Sequence, residues 1–146
     1  MNQQDYVDTR LEMVVVCLNY SDFLAETLPM NLSQVDRLVV VTGHDDERTR
    51  GLCDKWSVEC VLTDLFTEKG ERFNKGAAIN MGLGALRQRG WIMQVDADIV
   101  LPVSFRNMLD KATLRRDAIH GCERCNVVGW DQWHHLKERW FTDPQF

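Results

Sequence analysis

The sequence predicts an α/β fold built on a mostly parallel central sheet, and three observations predict it. The runs Met13 to Leu18 (MVVVCL) and Leu38 to Thr42 (LVVVT) are continuous, apolar and β-branched, as strands covered on both faces are. Each is followed by a helix signal rather than a hairpin turn, which implies crossovers between parallel strands. A later apolar run, WIMQVDADIVLP from Trp91 to Pro102, ends in two carboxylates, Asp96 and Asp98, separated only by Ala97. With 146 residues, 45% of them apolar, the chain suits one domain, 1–146, with a single core.

The elements follow in order. After the first strand, Ser21 and Asp22 are placed to cap a short helix carrying Phe23, Leu24 and Leu28, which Pro29 should end. After the second strand, Asp45 and Asp46 open a segment with Leu52, Cys53 and Trp56 at helical spacing. A third short strand, Cys60 to Thr63, leads into a polar loop, Asp64 to Phe73. Lys75 to Arg89 reads as a helix whose inner stripe is Ala78, Met81, Gly82, Ala85 and Leu86, with Gly90 as its stop. Trp91 to Val95 is the fourth strand. Beyond it, Val103 to Leu114 reads as a helix, Ala118 to Val128 as a strand and loop, and Gly129 to Phe146 as a tail containing Trp130, Trp133 and Trp140. Those tryptophans either pack back on the sheet or await a partner. In such a sheet, ligands sit outside the carboxyl ends of the strands, where Asn19, Asp45 and Asp96 all lie.

Charge and composition narrow the functional classes. A formal charge of −5, a pI near 5.3 and no long basic cluster argue against a nucleic-acid partner. No apolar run approaches the ~20 residues of a membrane span, and the polar start MNQQDYVDTRLE is not a signal peptide, so the expected location is cytoplasmic. Of the five cysteines, Cys17, Cys53, Cys60, Cys122 and Cys125, most are expected to be reduced core residues. Cys122 and Cys125 have the C-x-x-C spacing of a zinc or redox pair, with His120, His134 and His135 nearby. Against that reading, there is no second Cys pair and no strand-to-helix context at the first Cys.

The Asp96-Ala97-Asp98 stretch carries the chemistry. As the backbone leaves the sheet it can turn both acids toward a common point, where a divalent cation binds their hard oxygens and still holds a diphosphate. A phosphate-bearing substrate is the expectation. Asp is also common in turns, so two acids at a strand end are an ordinary structural feature as well.

The residues that accompany the pair carry a family resemblance. The order of strand, Asn19-Tyr20, strand, acidic turn Asp45-Asp46, then FNKGAAINMGLG and VDADIVLP, resembles the nucleotide-binding half of family-2 glycosyltransferases. Lys75, Gly76, Ala78, Asn80 and Gly82 precede the acidic strand as a similar segment does in that family, and the likeness covers about residues 12 to 110. It implies a Rossmann-like GT-A three-layer sandwich, with 12–110 as the nucleotide-sugar-binding half and 111–146 as a partial acceptor region and Trp-rich tail. The activity implied is transfer of a sugar from a nucleoside-diphosphate sugar to an acceptor hydroxyl, assisted by Mn²⁺ or Mg²⁺.

Roles follow from the resemblance. Asn19 and Tyr20 would border the base, and Asp45 or Asp46 would accept hydrogen bonds from base or ribose. Lys75 would lie by the diphosphate at a helix N-terminus. Asp96 would face the ribose or the metal, and Asp98 would bind the metal. Each has a plain alternative: Asn19 a turn residue, Asp45 a helix cap, Lys75 a solvated charge, Asn80 a surface polar group, Gly76 and Gly82 places of close helix packing. Only 48 residues follow Asp98, where the family places its general base. Asp131, in GWDQW, is the candidate for that role, and Glu123 a poorer one. The short C-terminal part is consistent with a truncated form, a minimal relative, or a site completed in a homo-oligomer through the Trp-rich region. Two other functions stay open: a non-catalytic module binding a nucleotide or a partner, and a sugar nucleotidyltransferase. The latter calls for a Gly-rich basic loop after the first strand, and CLNYSDFL is not one.

Overall fold

The structure, a computed structural model, describes residues 9–67, 70 and 73–140. The chain divides into two compact units, one through Val100 and one from Leu101. The first holds a four-stranded, all-parallel sheet of order β3-β2-β1-β4, with β1 Leu11–Val16, β2 Arg37–Thr42, β3 Glu59–Leu62 and β4 Trp91–Asp96. Helices α1 Ser21–Leu32, α2 Glu47–Trp56 and α3 Lys75–Ala85 connect the strands. The second unit holds α4 Phe105–Lys111 and α5 Gly129–Trp140.

The central position of β1 explains its composition. It pairs with β2 on one side and β4 on the other, and all six of its residues are buried. On one sheet face, Val14, Val16, Val39 and Val41 form a core with Phe66, Ala78 and Leu86. Here α3 comes close: a Cβ on Gly82 would stand 2.5 Å from Val14 Cγ1 and 2.8 Å from Val41 Cγ2. Alternation turns Cys60 to the other face from Val61, and there Cys60 meets Cys53 of α2, which packs on β2 and β3 and against α1.

Several elements differ from the sequence expectation, each for a physical reason. β1 starts at Leu11 rather than Met13 because Glu12, 3% exposed, is satisfied: its two carboxylate oxygens accept from the backbone N–H groups of Arg87 and Arg89. The same bonds end α3 at Ala85 instead of Arg89. Leu86 turns extended and buries itself, and the chain reaches Gly90, at φ +77°, where a Cβ would lie 2.2 Å from the Arg10 carbonyl oxygen. Within α3, Met81 is exposed, while Ile79 and Leu83 join Ala78 and Gly82 on the packed side.

Pro29 does not end α1, which runs on to Leu32. The missing N–H costs one hydrogen bond, but Met30 and Asn31 are buried beyond it and Asn31 has a tertiary partner. Ser21 is the first helical residue; Tyr20 occupies the cap position, and no side chain caps that end. At α2 the cap is Asp46 rather than Asp45.

In the second unit, 118–128 contains no strand. The expected tail is the helix α5 through Trp140, with none of its residues buried; 141–146 lie outside the described residues, as do 68, 69, 71 and 72 of the polar loop. Among the described residues no helix is long and apolar enough to cross a membrane.

Candidate functional site

The register of the sheet sets up the site. Val16, the last residue of β1, lies beside Asp96, the last residue of β4, so the two strands deliver the following loops to the same place. Leaving β4, the chain turns at once: Ile99 N donates to the Asp96 carbonyl at 3.1 Å. The Ala97 side chain is buried in this turn and Asp98 is exposed.

The first turn of α3 supplies the opposite charge. Asn74 caps the helix by accepting a hydrogen bond from Ala77 N at 3.1 Å, and this fixes the start of the helix at Lys75. Lys75 Nζ then lies 2.5 Å from Asp96 Oδ1, which also accepts from Gln94 Nε2 at 3.0 Å. A lysine at a helix N-terminus favours an anionic group.

Two aromatic rings stand over the same place. Tyr20, 48% exposed, stacks on Phe23 with centroids 4.6 Å apart, and Phe73, 47% exposed, lies parallel to the buried Phe66 at 5.5 Å. Between them is a cleft of about 300 Å³ whose apolar lining is Val16, Leu18 and Ala97, whose rings are Tyr20 and Phe73, and whose charges are Lys75, Asp96 and Asp98. The combination of an apolar surface, flat rings and a few convergent charges of both signs suits a small ligand with a flat part and a charged part.

Four of the residues expected from the sequence thus meet in one cleft: Tyr20, Lys75, Asp96 and Asp98. Asn19, Asp45 and Asp46 do not line it. Asn19, at φ +56°, is tied down by donating its N–H to Asp46 Oδ2 at 2.8 Å. Asp46 is 4% exposed and also accepts from Thr42 Oγ1 at 3.0 Å and Thr49 N at 3.1 Å. Burial opposes its ionisation, but the bonds from Thr49, Asn19 and Thr42 outweigh it and hold the carboxyl below the usual Asp range. Asp45 is exposed in the turn after β2. Asp131 is exposed in the first turn of α5, in the other unit, and Glu123 is exposed in the segment before it. Of the glycines, Gly82 makes a close approach, whereas a Cβ on Gly76 would touch nothing nearer than 3.9 Å.

Phe73 is the site residue that the sequence reading passed over. Its signal is local: an aromatic residue immediately before an Asn that caps an apolar helix lies where it can fold back on the helix entry.

Among the described residues no three His, Cys, Asp or Glu side chains gather as a metal cluster, the Cys122 and Cys125 pair and its neighbouring histidines included. The Asp96–Asp98 turn therefore offers one or two carboxylates. That is the donor set from which Mg²⁺ and similar hard ions are held when phosphate oxygens and water complete the shell.

The sequence matches glycosyl transferase family 2 over residues 13–146. No curated protein matches it. Among solved structures, the mannosyltransferase PcManGT from Pyrobaculum calidifontis, in complex with GDP-Man and Mn²⁺, superposes with a TM-score of 0.53 at 21% identity, over 71% of this chain and 31% of its own. Rv0371c from Mycobacterium tuberculosis superposes with a TM-score of 0.52 at 16% identity, over 71% and 60%. A nucleotidyl transferase from Methanothermobacter thermautotroptrophicus gives 0.50 at 19%, over 70% and 57%. The chain thus spans between 31% and 60% of the length of these three proteins. At such identities the likeness concerns the fold, and the all-parallel sheet is that of a Rossmann-like GT-A domain. The match over residues 13–146 carries the family: this chain belongs to glycosyl transferase family 2.

Proposed function

We propose that the cleft binds a nucleoside-diphosphate sugar and that the protein transfers the sugar to an acceptor hydroxyl with the help of Mn²⁺ or Mg²⁺. The observation that carries this reading is the convergence of Lys75, Asp96 and Asp98 with the rings of Tyr20 and Phe73 in one cleft. A nucleotide has the matching parts, a flat base and a charged diphosphate. The neighbour solved with GDP-Man and Mn²⁺ supports the same assignment.

In this reading the base lies by Tyr20 and Asn19, with Phe73 across from them. Asp45 is better placed than Asp46 to accept from base or ribose, because the Asp46 carboxylate is already bonded to Asn19, Thr42 and Thr49. Lys75 faces the diphosphate, Asp96 the ribose or cation, and Asp98 the cation. When bound, the cation supplies positive charge against the diphosphate leaving group. Lys75 adds to that charge, and Asp131 is the carboxylate assigned to take the acceptor's proton. The five free thiols fit a reducing, cytoplasmic setting, and the exposed face of α5 around Trp130 is assigned to contact with a second copy.

A second reading, sugar nucleotidyl transfer, has one structural neighbour in its favour, but the segment after β1, CLNYSDFL, has no Gly-rich basic loop for a triphosphate. The test is to incubate the protein with UDP- and GDP-sugars, Mn²⁺ and a panel of sugar acceptors and to follow nucleoside diphosphate release. Release that needs Mn²⁺ and is lost in Asp98→Ala supports transfer. Pyrophosphate release from a nucleoside triphosphate and a sugar 1-phosphate would favour the second reading. Binding without either release would mark a non-catalytic module.

A further inference from the structure

Helix α1 carries two polar side chains that are almost completely buried one turn apart, Thr27 at 5% and Asn31 at 2% exposure. A buried hydroxyl or amide is costly unless it is bonded, and both have partners on one short stretch of chain. Thr27 Oγ1 donates to the Ala97 carbonyl at 2.7 Å, and Asn31 Nδ2 donates to the Ile99 carbonyl at 2.8 Å. Those carbonyls flank Asp98.

The spacing is matched. Residues four apart on a helix are about 6 Å apart along its axis, and residues two apart in a chain span at most about 7 Å. Two side chains on one face of α1 can therefore hold the carbonyls of Ala97 and Ile99, the residues on either side of Asp98, together. Neither Thr27 nor Asn31 lines the cleft, whereas Asp98 does. Asp98 is exposed, so its aim depends on the backbone that carries it, and that backbone is held by these two bonds together with the Ile99 to Asp96 turn bond.

We infer that Thr27 and Asn31 are positioning residues for Asp98, holding the 97–99 backbone so that its carboxylate meets a cation on a bound diphosphate. This rests on the donor-binding reading given above. It makes α1, none of whose side chains lines the cleft, part of the cation site, and it accounts for a helix that continues past Pro29 to bring Asn31 into place.

The test uses the full chain and four variants, Thr27→Val, Thr27→Ser, Asn31→Leu and, should Thr27→Val not fold, Thr27→Ala. Binding of UDP and GDP with Mn²⁺ is measured by calorimetry, Mn²⁺ alone by electron paramagnetic resonance, and uridine and guanosine without metal by NMR titration. The expected result is a Kd for the Mn²⁺ diphosphate raised about 10-fold or more in Thr27→Val and Asn31→Leu, a return close to wild type in Thr27→Ser, and unchanged nucleoside binding. Folded variants with wild-type Mn²⁺ and diphosphate affinities would overturn the inference. So would an equal loss of nucleoside binding, which would make the two residues merely structural. A wild-type protein that binds Mn²⁺ but no nucleotide would sink the donor reading and leave the comparison of Mn²⁺ affinities to decide this one. Wild type binding neither would overturn both.

Discussion

Lys75 and Asp96, 21 positions apart in sequence, form a 2.5 Å ion pair where the first turn of α3 meets the end of β4. The pair is partly solvated, with side chains 34% and 46% exposed, so it adds little to stability, about 0–1 kcal/mol. In the proposed function its value lies in holding the Lys75 ammonium against Asp96, in the cleft that Asp98 also lines, before a diphosphate arrives.

Replacing Lys75 by Ala should therefore leave the fold nearly unchanged and weaken nucleoside diphosphate binding. A charge-assisted contact of about 1.5–3 kcal/mol corresponds to roughly a 10- to 100-fold rise in Kd. Lys75→Arg should recover part of the loss. Calorimetry at two salt concentrations checks this, and equal affinities for wild type and Lys75→Ala would remove Lys75 from the site.

Asp46 predicts how stability responds to acid. Its carboxyl is held below the usual Asp range in the fold, so the stability it adds is present above the unfolded-state value. That stability is lost as pH falls through the folded one. Asp46→Asn should flatten the acid limb of stability measured by urea unfolding between about pH 7 and pH 2. Asp46→Ala, which removes the α2 cap and leaves Asn19 N and Thr42 Oγ1 without their partner, should cost about 2–4 kcal/mol near neutral pH.

The β-branched runs of β1 and β2 were readable because strands buried in a parallel sheet need little else; β4, at the end of the sheet with only Val95 buried, was readable from its apolar run alone. The N-terminal part of β1 was not, since the two backbone donors that satisfy Glu12 come from residues 75 and 77 positions later. Pro29 misled for a similar reason: the bond that holds the last turn of α1 runs from Asn31 to Ile99, across 68 positions. At the site, the spacing of Asp96 and Asp98 and the Asn-Lys-Gly start of α3 were legible as local patterns. Which of Asp45 and Asp46 caps α2 was not, because the choice depends on Asn19 and Thr42 arriving from β1 and β2.

Gly82 and Gly84 should respond in opposite ways to Ala. At Gly82 the new methyl would meet Val14 and Val41 at 2.5 and 2.8 Å, overpacking worth about 1–3 kcal/mol of destabilisation. At Gly84 nothing lies within 4 Å, and the helix propensity of Ala should make the change neutral or stabilising by up to about 1 kcal/mol. Paired denaturant titrations measure both, and a stable Gly82→Ala would mean that α3 does not pack this closely on the sheet.

The thiols should divide by environment. Cys122 and Cys125 are exposed, while Cys17 and Cys53 are buried. Burial pushes the Cys17 thiol up, and the Cys53 thiol is pushed up first by its hydrogen bond with Cys60 and then by burial. A chromogenic disulfide reagent on the native protein should react quickly with Cys122 and Cys125, and with Cys17 and Cys53 only on unfolding. Rapid modification of Cys53 in the folded protein, read by mass spectrometry, would contradict the packing of α2 on β3.

The most direct measurement is a calorimetric titration of wild type and Asp98→Ala with UDP and GDP, with and without Mn²⁺. The account predicts that one of the two nucleotides binds wild type tightly only with Mn²⁺, and that Asp98→Ala loses at least about 10-fold of that affinity while melting at the wild-type temperature. Absence of nucleotide binding to folded wild type, or Mn²⁺-dependent binding that survives intact in Asp98→Ala, would contradict it.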